Sequence, residues 1–360
     1  MSNRDHDEAP GGVPPAAVLL GISSTIRLER ALWVAARLGV ADHLEPQGPA
    51  PNGNPADDGG NLPPPVPVET LARAVDANPD ALYRVLRALA PAGIFSEASP
   101  RAFVHTPLSE PLRSDAPDSV REAILQHGDE PEWRAWGAIL HTIRTGEPAF
   151  GHVWGESPWR LYEGTRARMT QISQRDSDVL AGHPLFGGSR HIVDVAGGEG
   201  GFLASLLRAN PGTIGTLFDR PAIVDSAPAL LERAGVGDRC TVVGGDMFES
   251  IPQGGDLYVL KRAIHDWDDE HVLIILRSAF AAMQGQGRLV ILTEIVSPGN
   301  APSSAKLGDI ALMVMLGGRH RTAREIGALV EAGGFELDET VELPSPLSAI
   351  VAVPRGDARG

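Results

Sequence analysis

The chain has 360 residues, 46 of them acidic and 31 basic, for a formal net charge of -15. That balance argues against nucleic acid or an anionic membrane as partner and points to a neutral or cationic small molecule, or another protein. The length suits two domains, each able to bury its own core.

The amino terminus, MSNRDHDEAPGGVPP, carries acids and prolines where an export signal needs a basic stretch and an apolar core, so a cytoplasmic location is expected. No run approaches the roughly 20 uninterrupted apolar residues of a membrane span. The single cysteine, Cys240, has no partner within the chain for a disulfide. Residues 1–14 and 46–66 are dense in Pro, Gly, Asn and Asp and read as a disordered tail and a long loop. Between them, Ile22, Ile26, Leu32, Val34, Leu38 and Leu44 recur at near-helical spacing around Gly39, predicting an apolar helix over 20–44. Left exposed, such a helix would be a sticky patch, so dimerisation is expected.

Next, Leu71, Ala74 and Val75 precede the break at Asn78-Pro79, and Leu82, Val85, Leu86 and Leu89 follow it. This predicts a helix-turn-helix, then a short hairpin around Phe103 to Thr106. Its second helix carries only Arg84 and Arg87 as basic residues, so packing is the better reading than DNA recognition. Residues 118–180 keep a helical period and hold Trp133, Trp136, Trp154, Trp159 and Tyr162. From 191 onward the runs HIVDVA, GTLFD, CTVVGGD, DLYVLK and RLVILTEIV alternate with helix-length segments, the pattern of a parallel sheet covered on both faces. FELDETVEL and LSAIVAVP close the chain as an antiparallel pair.

Chemistry concentrates at the ends of these strands. HIVDVAGGEGGF joins a strand, a turn with Gly197, Gly198, Gly200 and Gly201, and a helix start, where glycine lets backbone approach a ligand and unpaired N–H groups face it. Asp219 ends the second strand, 19 residues past Gly200, where a carboxylate can hold both ribose hydroxyls. The third strand ends in Gly245-Asp246-Met247-Phe248, an acid able to accept from an adenine amino group beside two side chains able to sandwich the ring, though core packing accounts for Met247 and Phe248 as readily. His265 and Asp266 follow the fourth strand. An imidazole with an ordinary pKa there can take a proton from a phenol at neutral pH. Asp266, Asp268 and Asp269 also read as caps of the next helix, and Glu294, at the end of the fifth strand, is the nearest candidate to orient the imidazole. No group of His, Cys or carboxylates has metal-ligand spacing, so no metal is expected.

Taken in order, DVAGGEGGF, TLFDRP, GDMFE, LKRAIHDWDDE, TEIV, GGRHRT and AGGF resemble the S-adenosylmethionine-dependent small-molecule O-methyltransferases, the caffeic-acid-type and antibiotic-pathway enzymes, over residues 20–355. The resemblance implies a mainly α N-terminal winged-helix dimerisation domain over 15–165 and an α/β Rossmann-like class I methyltransferase domain over 166–356. It implies a homodimer that methylates a hydroxyl of a small aromatic or polyketide-type molecule, with His265 as base, Glu294 as its orienting acid and Asp266 beside it. Cofactor contacts are implied for Ala196, Gly197, Gly198, Asp219, Asp246, Met247, Phe248, Lys261 and Ser173. Acceptor contacts are implied for Met169, Asp309, Met313 and His320, with pocket walls around Trp133, Trp154, Met169 and Met313. Two departures stand out: Ala196 replaces a usual glycine, and His320 stands where many relatives carry a second glutamate. The alternative within the fold is an enzyme that binds S-adenosylmethionine without methylating, a hydroxylase, decarboxylase or pericyclase, which the presence of His265 disfavours.

Overall fold

A computed structural model of the chain describes residues 13–46, 63–159, 174 and 176–356. The expected tail and long loop fall almost wholly outside these residues, as do Tyr162, Met169 and Ser173. The chain divides into two compact units, 1–129 and 130–360.

In the first unit the apolar helix runs Pro15–Leu38 and stops where Gly39 turns left-handed, with φ of 68°. Its carboxyl half is buried through Ala35 and Ala36, while Leu19, Leu20, Ile22 and Ile26 on its amino half are exposed. The helix-turn-helix comprises Val68–Ala74 and Pro79–Leu89, and the second helix is started by the Asn78 side chain, which accepts from the Ala81 N–H at 3.0 Å. Strands β1 (Val66–Pro67), β2 (Ser96–Ser99) and β3 (Ala102–Val104) form an antiparallel sheet in the order β1-β3-β2, completing a winged-helix arrangement. The hairpin ends earlier than the sequence suggests because His105 turns inward, where its ring bonds Ser109 Oγ at 2.9 Å and the Ala41 carbonyl at 3.0 Å. Leu71, Leu82, Leu86, Leu89 and Phe103 form the core of this unit.

The second unit is built on a seven-stranded sheet ordered β6-β5-β4-β7-β8-β10-β9. Strands β4 (His191–Val195), β5 (Ile214–Asp219), β6 (Cys240–Gly244), β7 (Leu257–Lys261) and β8 (Arg288–Thr293) are parallel. The closing pair, β9 (Phe335–Glu342) and β10 (Ser348–Pro354), is antiparallel and is joined to β8 through β10. Helices Gly201–Ala209 and Ala227–Arg233 cover one face, packing Leu203, Leu207 and Leu231 on Ile192 and Leu217. Helices Asp269–Met283 and Ala323–Ala332 cover the other with Val272, Ile275, Ile326 and Val330. Both faces being covered, β7 is buried at every position, which is why Leu257 to Leu260 read as an apolar run before Lys261.

The expected domain boundary at 165/166 differs from the division observed, which falls between 129 and 130. Helices Glu130–Gly137 and Ala149–Trp154 bury Ala135, Ala149 and Phe150 against Val314 and Met315 of the helix Ser304–Met315, so they belong to the core of the second unit. No described helix is long and apolar enough to cross a membrane.

Ile291 lies in β8 with none of its surface exposed. Ile291→Ala is expected to lower unfolding free energy by about 2–5 kcal/mol, through lost burial and the cavity left behind. Urea denaturation measures this, and a loss under about 1 kcal/mol would mean the sheet repacks around the gap.

Candidate active site

The order of the strands reverses between β4 and β7: the chain moves outward from β4 through β5 to β6, then returns to β7 and moves the other way to β8. Beyond the carboxyl ends of such a pair an open α/β sheet leaves a crevice. Each strand ends there in a residue of left-handed backbone, Ala196 with φ of 57° and Arg262 with φ of 56°. For a residue with a Cβ this conformation costs roughly 1–2 kcal/mol. After Ala196 the chain must pass close over the strand ends: a Cβ on Gly197 would come 2.6 Å from Leu217 and 2.7 Å from the Asp194 carboxyl. The Gly198 N–H then donates to Asp219 Oδ2 at 2.9 Å, and the Arg220 N–H to Oδ1 at 2.7 Å. These bonds hold the carboxylate in place, although burial still raises its pKa.

A cavity of ≈ 640 Å³ fills the crevice. Of the expected cofactor residues, it brings together Ala196, Gly197, Gly198, Asp219, Asp246, Met247, Phe248 and Lys261, and it adds His265 and Asp266. Ser173 and Met169 lie outside the described residues. Asp246 also accepts the Phe248 N–H at 2.8 Å, which sets the turn carrying Met247 and Phe248. Phe248 packs edge-on to Trp267, ring centres 4.8 Å apart, and Trp267 stacks with Trp159 at 5.7 Å, so one end of the cavity is aromatic. Lys261 is tied to Asp176 at 3.0 Å and to Ser177 Oγ at 3.2 Å, its ammonium lying 4.9 Å from the Phe202 ring centre.

His265 is set on a single turn, Ile264–Asp266, between β7 and the helix Asp269–Met283. That helix is capped by Asp268, which accepts the His271 N–H at 2.9 Å, leaving Asp266 free of the capping role. Asp266 Oδ1 sits 3.4 Å from His265 Nε2. His265 Nδ1 is shut away from solvent with no hydrogen-bond partner among the described residues. Burial, reinforced by the nearby His320, Arg262 and Arg321, lowers the His265 pKa to about 3, while burial raises Asp266 to about 8. Both side chains are therefore held neutral near pH 7.

Three expected contacts are arranged differently. The Glu294 carboxylate lies 3.5 Å from the Arg262 guanidinium, which follows the left-handed turn after β7, and its charge also acts on His320. Asp309 does not line the cavity but accepts the His320 backbone N–H at 2.7 Å, and Met313 is likewise absent from the lining. The helix Ser304–Met315 and the residue after it present Leu312 and Leu316 instead, the pair one turn apart. The His320 ring centre lies 5.0 Å from that of His265, behind it rather than in the cavity wall.

Sequence reading passed over Asp194, Phe202, Arg262 and Trp267, all of which line the cavity. Asp194 lies inside β4 with both carboxyl oxygens buried and unpartnered among the described residues, and burial raises its pKa to about 7. An acid in the middle of an otherwise apolar strand was the signal available. This orphaned acid, the close backbone at Gly197 and the doubly bonded Asp219 fit S-adenosylmethionine, which offers a cationic amino-acid end, a ribose diol and an adenine ring.

A sequence model described as the O-methyltransferase domain matches residues 136–336, and one described as the O-methyltransferase dimerisation domain matches residues 20–115. The chain is 36% identical to phenazine O-methyltransferase PhzM of Lysobacter antibioticus, covering 96% of this chain and 98% of that one. It is 32% identical to phenazine-1-carboxylate N-methyltransferase of Pseudomonas aeruginosa, covering 90% and 92%. Among solved structures, CalO1, a methyltransferase in calicheamicin biosynthesis in its SAH-bound form, superposes with a TM-score of 0.81 at 31% identity, covering 96% and 100%. The chain belongs to this O-methyltransferase family and is an S-adenosylmethionine-dependent methyltransferase.

Because Ala196 holds a left-handed backbone that glycine adopts freely, Ala196→Gly is expected to stabilise the protein by roughly 0.5–1 kcal/mol after the entropy glycine costs. Thermal or urea unfolding reads this directly. A clear destabilisation would mean that the methyl group makes packing contacts worth more than the strain.

Proposed function

We propose that the protein methylates a hydroxyl group of a small aromatic or polyketide-type metabolite, with His265 as general base, as a cytoplasmic homodimer. The observation that carries this reading is that the neutral imidazole of His265 lines the same cavity as the glycine turn and Asp219. Asp219 would take the ribose hydroxyls, Met247, Phe248 and Trp267 the adenine, and the Gly197–Gly198 backbone with Asp194 the amino-acid end. S-adenosylmethionine, when bound, supplies a methyl group on a cationic sulfur.

Everything else falls to the side chains. Leu312 and Leu316 give the acceptor an apolar wall, and the cavity holds it in line, which supplies most of the acceleration by proximity and exclusion of water. With Nδ1 shut away, His265 accepts the hydroxyl proton at Nε2. A base whose conjugate acid is this strong does not deprotonate a phenol in advance. The proton moves as the new carbon–oxygen bond forms. The likeness to a phenazine O-methyltransferase supports oxygen as acceptor, and that to a phenazine-1-carboxylate N-methyltransferase supplies the second reading, transfer to nitrogen.

His265→Ala is expected to retain S-adenosylmethionine binding by calorimetry and to lose methyl transfer by about 100- to 10,000-fold, read by mass spectrometry of phenolic and amine acceptors. Since the folded His265 pKa is about 3, below its ordinary value of 6.5, the wild-type kcat should stay level as pH falls through 6.5. An acid limb at pH 6–7 would show instead an imidazole that titrates as if in water.

The dimer would use the amino half of the helix Pro15–Leu38, where Leu19 and Leu20 are 68% and 70% exposed. Light scattering at micromolar concentration should give twice the chain mass for the wild type and a shift toward monomer for Leu20→Asp. A wild-type monomer would remove this part of the reading.

A further inference from the structure

The loop that carries His265 is short, follows a residue of left-handed backbone, Arg262, and forms only a single turn over Ile264–Asp266. Its partners come from a segment more than 50 positions later in the chain. The Arg321 side chain is 2% exposed, and its guanidinium donates to the Ile264 carbonyl at 3.1 Å, the Trp267 carbonyl at 2.8 Å and Asp269 Oδ1 at 2.8 Å. It thereby grips the loop on both sides of His265. The His265 carbonyl itself accepts the Arg319 N–H at 2.8 Å. That approach needs Gly318, because a Cβ there would run into the His265 carbonyl oxygen.

The clamp is anchored from behind. The Arg321 carbonyl accepts the Val296 N–H at 3.0 Å, and Arg321 bridges Ile295 just past the end of β8. The loop is thus referred to the central sheet through one guanidinium. Arg321 is not among the residues that line the cavity.

We propose that Arg321 is a positioning residue for methyl transfer: its planar guanidinium, assisted by the close approach that Gly318 permits, fixes the backbone of residues 264–267 so that the His265 imidazole is held at the acceptor. The inference rests on His265 as the base. A lysine keeps the charge and the pairing with Asp269 but lacks the flat fork that reaches two carbonyls and a carboxylate at once.

The test compares Arg321→Lys, Arg321→Ala, Gly318→Ala and His265→Ala for thermal melting, S-adenosylmethionine affinity, kcat, acceptor KM and amide hydrogen exchange over 264–269. Arg321→Lys should remain folded with kcat lowered by about 10- to 100-fold, the size of effect expected from misplacing a base by about an ångström, with acceptor KM within about threefold of wild type. Exchange over 264–269 should quicken, Gly318→Ala should show the same pattern, and added guanidinium at millimolar concentration should restore part of the kcat of Arg321→Ala. A folded Arg321→Lys enzyme with wild-type kcat and unchanged exchange over 264–269 overturns the proposal. So does loss of the fold in both Arg321 variants, which would make the residue one of stability alone. Wild-type kcat in His265→Ala would overturn the base and with it the positioning role, whereas exchange over 264–269 in Arg321→Lys reads separately whether the guanidinium holds the loop.

Discussion

The reversal of strand order between β4 and β7 governs the rest of the molecule. On one side of it the chain travels through β5 to β6, on the other through β8 to the antiparallel pair, so the loops leaving β4 and β7 must part. Two left-handed residues, Ala196 and Arg262, make those turns, and the strain they hold is outweighed by the sheet packed beneath them. The gap so opened receives the glycine turn from one side and the His265 loop from the other. The glycine turn, Asp219, Asp246 and His265 come from segments far apart in sequence, because each follows a different strand of the sheet.

Desolvation is the second constraint. Asp194 and Asp266 are pushed up to about 7 and about 8, and His265 down to about 3, all in the direction that removes charge. Three cations near the crevice are paired with carboxylates: Lys261 with Asp176, Arg262 with Asp176 and Glu294, Arg321 with Asp269. A site that resists unpaired charge suits methyl transfer from a sulfonium, in which the positive charge on sulfur is lost as the bond forms.

Much of this was legible beforehand, and the boundary of what was legible has a physical cause. The five parallel strands, the closing antiparallel pair and the helix-turn-helix were all readable, since each announces itself through a local period and a breaker: the Asn78-Pro79 start, the Gly39 stop, the apolar run of β7. Strand-end residues such as Asp219, Met247 and His265 were readable for the same reason, because a parallel sheet brings its carboxyl ends together whatever the details. Asp194 shows in the sequence only as an acid within an apolar strand, which does not say whether it finds a partner. Glu294 shows the limit from the other side. Its place at the end of β8 was as expected, but its partner depended on which way Arg262 points, and that is decided by a backbone angle.

Sequence by itself determined the order of elements, the faces they bury and the cluster of chemistry at the strand ends, because these follow from periodicity, turn residues and the handed, parallel way such strands associate. Only the tertiary structure decided that Leu312 and Leu316 line this cavity, and that Asp309 and Arg321 hydrogen-bond backbone. It also decided the domain boundary, since Phe150 finds Val314 across more than 160 residues of chain. Those outcomes turn on the rotation of a helix about its axis and on side-chain reach across distant segments. Both are set by packing, where a single turn of helix carries one residue into a cavity and its neighbour away from it.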